Sequence, residues 1–126
     1  YDRNNVENAE RMLDWLIQIH RENGYSEDTA PNGSHFASVL NAWSKSRRRD
    51  SALRAEETLQ KMEDLYNETG SPSLKPNHQC FVFCVDAWAR SNHREAAKNA
   101  ERILKKMESL FLDSVDDTDR MNNFAY

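Results

Sequence analysis

The chain has 126 residues, 30% of them charged, a net charge of −4 and a strongly negative mean hydropathy. No apolar run approaches the roughly 18 residues that a membrane helix requires, which excludes membrane insertion by such a helix. The acidic balance excludes a uniformly basic nucleic-acid binder and leaves room only for a local basic stripe. With 3 glycines and 3 prolines, the punctuation is too sparse for a many-turned β fold, so an all-α chain is expected.

In the first segment, Ala9, Leu13, Leu16 and Ile19 share one face of a helix. Trp15 stands beside them, either packed between neighbouring units or partly exposed. Pro31-Asn32 then supplies a helix start, the asparagine serving as N-cap. Phe36, Val39, Leu40 and Trp43 follow at i, i+3, i+4 and i+7, and this helix should stop near Ser46. Asp50 opens the next helix, with acidic residues expected in its first turn, where the helix dipole favours them. Its apolar face is Ala55, Leu59, Met62 and Tyr66, and Tyr66–Lys75 reads as a loop. Pro76-Asn77 begins the pattern again with Phe81, Cys84, Val85 and Trp88, stopping near Asn92. A last helix carries Ala100, Leu104, Met107 and Phe111, and Ser114–Arg120 reads as a second loop.

These segments repeat. A shift of 45 residues lays Pro31–Tyr66 on Pro76–Phe111 without a gap, with 15 of 36 positions identical, including Pro-Asn, Phe, Ala-Trp, Ala-Glu and Lys-Met-Glu. Asn8–Leu13 also matches Asn99–Leu104, and Arg120–Asn122 falls on Lys75–Asn77. The expected organisation is an α-solenoid of antiparallel helix-turn-helix repeats of about 45 residues. Residues 1–30 are the second helix and loop of a preceding repeat, 31–75 and 76–120 two full repeats, and 121–126 the start of a following one. Stacked repeats bury each other's faces, so a window of this size reads as part of a longer array.

Pro-Asn, an aromatic four residues later, an apolar helix ending Ala-Trp-Ser-Lys-Ser or Ala-Trp-Ala-Arg-Ser, then Ala-Glu and Leu-x-Lys-Met-Glu resemble the pentatricopeptide repeat. The long repeat is similar to an algal, diatom-like variety of that family. The resemblance implies binding of single-stranded RNA in an organelle, mitochondrion or chloroplast, at about one base per repeat. Carried over, the base-facing pairs are Ala37 with Asn77 and Val82 with Asn122, and the residues that sandwich the base are Ser34 and Gln79. The sequence departs from the family here. Ala37 and Val82 have no polar group for a base edge, Ser34 and Gln79 replace an aliphatic clamp, and Asn77 and Asn122 are equally explained as helix caps.

Lys45, Arg47, Arg48 and Arg49 form the strongest basic run, and Arg90 and Arg94 occupy matching places one repeat later. The set is either a basic rim that follows an RNA backbone or a solvated turn. Trp43 and Trp88 read as interhelical core rather than as base-stacking platforms. Cys80 and Cys84 read as reduced core residues rather than a disulfide or a metal site, and the aspartates of 113–119 as a solvated linker without the pattern of a calcium loop. No phosphate-cradling loop or activated nucleophile is present, so no enzyme and no cofactor is expected. The alternative to RNA binding is a protein–protein scaffold, a subunit of a large organellar assembly such as a ribosome.

Overall fold

The structure, a computed structural model, describes residues 3–26, 30–46 and 48–122, with side chains described between residues 5 and 110 of those ranges. Five helices account for most of it: α1 (Arg3–Glu22), α2 (Gly33–Ser46), α3 (Ser51–Thr69), α4 (His78–Arg90) and α5 (Ala96–Asn122), with a 3-10 turn at Pro72–Leu74. No strand occurs among the described residues. Helix α2 packs on α1, α3 and α4, and α4 packs on α3 and α5.

Local chemistry explains most of the boundaries. Asn32 Oδ1 accepts the backbone N–H of His35 at 3.2 Å, and His35 Nδ1 accepts the backbone N–H of Asn32 at 3.0 Å. This reciprocal pair satisfies two orphan donors at the start of α2. Asn77 Oδ1 does half of the same job at α4, accepting from Cys80 N at 3.1 Å. At the end of α3, Gly70 takes the left-handed conformation (φ 67°) and donates its N–H to Tyr66 O at 2.7 Å. The helix therefore includes Tyr66–Thr69, and the expected loop starts four residues late.

Two further expectations are corrected. Ser114–Arg120 is helix rather than loop, because α5 contains no glycine or proline between Ala96 and Asn122. The first turn of α3 holds no acidic residue. Asp50 stands at its N-cap position without a side-chain capping bond, and Ser51 Oγ accepts the Arg48 backbone N–H at 2.7 Å instead.

The apolar stripes meet in one core. Phe36, Leu40, Trp43, Met62, Leu65, Leu74, Phe81 and Cys84 are all at most 1% exposed. Leu74 reaches the core because the 3-10 turn lies against the start of α2: a Cβ on Gly33 would sit 2.6 Å from the Ser73 carbonyl oxygen. Not every repeated position is equally buried. Leu59 is 4% exposed and its counterpart Leu104 is 39% exposed. Both α2 and α4 pack on α3, whereas α5 packs on α4.

Helix α1 is tied to α3 and to the turn before it by a ladder of polar and charged side chains. Glu7 pairs with Arg48, Thr58 donates to Glu10 at 3.3 Å, Lys61 pairs with Asp14 at 2.8 Å and Arg21 with Glu68 at 2.7 Å. The partners advance together along both chains, so the two helices run side by side in the same direction. The ladder continues from α3 to α5, where Arg102 pairs with Glu56 at 2.6 Å and Lys106 with Glu63 at 2.9 Å. The mixed charge of these helices is thus spent between helices rather than on solvent alone.

Candidate nucleic-acid interface

The first helix of each repeat turns one stripe to the core and leaves the opposite stripe open. On α2 the open stripe is Ser34, Ala37, Asn41 and Lys45, and on α4 the same register positions are Gln79, Val82, Asp86 and Arg90. Ser34 and Gln79 are exposed, and Ala37 and Val82 are half-buried. The α2–α4 contact makes the two stripes neighbours. Its centre is apolar where a base edge would need a donor or acceptor.

Asn77 lies at the entry to α4, with its Oδ1 engaged by the cap, so only its amide NH2 is left to donate outward. Asn122 ends α5, and its side chain lies outside the described residues.

The basic residues divide into two kinds. Arg48 is used internally: it pairs with Glu7, lies 3.4 Å from Asp50 and stacks over the Trp43 ring at 5.5 Å. The bond to Glu7 holds its guanidinium pKa above the usual value. Arg90 pairs with Asp86 at 3.2 Å, and Asp86 also accepts from Ser44 Oγ at 2.7 Å, which links α2 to α4. Lys45, Arg49 and Arg94 are exposed and have no carboxylate partner among the described residues. Arg47 lies outside the described residues. The usable rim is therefore narrower than the sequence run, and an acid, Asp86, stands within it.

Sequence reading missed Asp86 and Ser44. The Asp86–Arg90 pair was visible as an i, i+4 spacing, whereas Ser44 joins it only across the α2–α4 contact. The clasp of Arg21, Tyr25 and Glu68 was also missed. Arg21 Nε donates to Glu68 Oε2 at 3.0 Å and the Tyr25 hydroxyl donates to the same oxygen at 3.1 Å. These bonds hold the Glu68 carboxyl below the usual carboxylate value.

Trp43 and Trp88 are core, at 0% and 3% exposure, and neither offers a ring face for stacking a base, whereas Trp15 on α1 is exposed at 61%. Cys80 and Cys84 are buried free thiols, and burial pushes both thiol pKa values up. No group of three or more His, Cys, Asp or Glu side chains is placed to hold a metal ion among the described residues. No helix among them is long and apolar enough to cross a membrane. Comparison with protein-family models, with curated proteins and with solved structures finds no match for this chain.

Proposed function

We propose that the chain is an RNA-binding module of pentatricopeptide type, part of an α-solenoid that acts in organellar RNA processing, stability or translation. One observation carries this reading. Two first helices, 45 residues apart and matched in motif, present their open stripes side by side, Ser34–Ala37–Asn41–Lys45 next to Gln79–Val82–Asp86–Arg90. Such a surface suits a strand that advances by one unit per repeat. Lys45, Arg49 and Arg94 supply unpaired cations at one end of it, and phosphate contacts from them would make binding fall steeply with salt.

The test is a filter-binding titration of the full-length protein with mixed single-stranded RNA pools at several salt concentrations. Lys45, Arg49 and Arg94→Glu should lower affinity and flatten the salt slope while leaving helicity unchanged. Absence of any salt-sensitive RNA binding by the full-length protein refutes the reading.

A protein scaffold is the second reading, favoured by the half-buried Ala37 and Val82 and by Asp86 on the same surface. Partners that stay bound after nuclease treatment support it, and their loss on RNA digestion counts against it.

A further inference from the structure

Helices α3 and α5 enclose a groove of about 640 Å³, which lies in the range of small-molecule sites. Tyr66, Pro72, Pro76 and Leu110 provide flat and apolar walls, and Lys75, Lys106 and Asn77 line it with polar groups. Lys106 is held by Glu63, at 2.9 and 3.0 Å from its two oxygens. Lys75 has no carboxylate partner among the described residues, so the lining carries one uncompensated positive charge.

The corresponding groove one repeat earlier is divided, with a cavity of about 490 Å³ beside Arg21 and another of about 370 Å³ beside Tyr25 and Glu68. Between α1 and α3, the clasp of Arg21, Tyr25 and Glu68 bridges the two helices. The register is fixed by Gly24 and Gly70, which both take positive φ, 66° and 67°, just after their helices. On that register Arg21 corresponds to Asn67 and Tyr25 to Ser71, while Glu68 falls on Asp113 in the 45-residue repeat. Asn67 cannot make a bidentate ion pair and Ser71 is too short to reach across. The second groove therefore lacks the arginine and the phenol that bridge the first.

We propose that this groove takes one nucleotide of a bound single-stranded RNA, an inference that rests on the RNA-binding reading above. The base lies on the Tyr66 ring and the two prolines. Its phosphate meets the Lys75 ammonium, and the Asn77 amide NH2 donates to a ring carbonyl. Asn77 lies at the border between the groove and the open stripe of α4, two residues before Gln79, so one strand can run from the stripe into the groove.

The test crosslinks 4-thiouridine-substituted single-stranded RNA to the full-length protein and maps the adducts by mass spectrometry. Adducts at Tyr66 or within Pro72–Asn77 are expected. Transplanting the clasp, Asn67→Arg with Ser71→Tyr, should remove these adducts and weaken binding about tenfold, the scale of one stacked base. Tyr66→Leu, which keeps the apolar volume, and Lys75→Glu should each weaken binding with the circular dichroism unchanged, and they keep the test decisive if the transplanted clasp disturbs folding. Adducts confined to α2 and α4, with full affinity in Tyr66→Leu and Lys75→Glu, overturn the groove proposal and leave RNA binding standing. No adducts and no RNA binding at all overturn the RNA reading itself.

Discussion

The buried indole N–H of Trp88 donates to Glu56 Oε1, the same oxygen that Arg102 reaches at 2.6 Å. Trp43, its counterpart one repeat earlier, has the same buried N–H with no acceptor among the described residues. The carboxylate in register with Glu56 is Glu10, which is occupied by Thr58, Arg54 and Lys61 instead. Equivalent tryptophans thus share burial and differ in polar partners.

Glu56→Ala should leave the Trp88 donor buried and unpaired, at a cost of about 1–3 kcal/mol. Glu56→Gln keeps an acceptor oxygen and should cost less. Urea denaturation of both variants checks the order, and equal destabilisation would show that the bond to Trp88 contributes nothing.

Leu59 and Leu104 are the same residue at the same repeat position, 4% and 39% exposed. Leu59→Ala should destabilise by about 2–5 kcal/mol through lost contacts and a cavity. Leu104→Ala should cost less than about 1 kcal/mol. Thermal or urea unfolding decides it, and matched losses would mean that Leu104 is covered in solution.

Gly33→Ala improves helix propensity by up to about 1 kcal/mol but drives a methyl group to 2.6 Å from Ser73 O. Carbonyl and methyl cannot share that space, so the 3-10 turn must move off α2. A net loss of about 1–3 kcal/mol is expected, on the scale of other overpacked sites. A stabilised variant would show that Pro72–Leu74 does not hold its place against α2.

The Glu68 carboxyl is held low by Arg21. Its contribution to stability is therefore fully present above the ordinary carboxylate value near 4.5 and is lost as pH falls through the lower folded-state value. Glu68→Gln should lower Tm at pH 7 and converge with the parent chain near pH 3. Curves that stay parallel at all pH values would dissociate the effect from the Arg21 pair.

The thiols titrate in the opposite sense. Burial raises both above the ordinary value of 9.0, so the stability tied to the neutral thiols is complete below pH 9 and declines as pH rises beyond it. In folded protein at pH 8, Cys80 and Cys84 should react with a disulfide reagent at least about tenfold more slowly than in denaturant, because only an exposed thiolate attacks. Equal rates would contradict their burial.

What the sequence by itself determined is local. Pro31-Asn32 and Pro76-Asn77 cap helices through the reach of a short amide side chain, and Phe36, Trp43, Phe81 and Trp88 face the core because 3.6-residue periodicity puts them on one stripe. Those signals need only neighbours within a turn or two, so one chain displays them. The structure alone decided which cations are spent and which are left. Arg48 looks like Lys45 and Arg49 in a sequence, and it differs because Glu7, 41 residues away, lies against it. The open groove has the same origin: Asn67 and Ser71 read as ordinary polar residues until α1 and α3 show a clasp at their register positions. Charge pairing across 40 to 48 residues is set by how helices lie against one another, and that is a property of the packed chain.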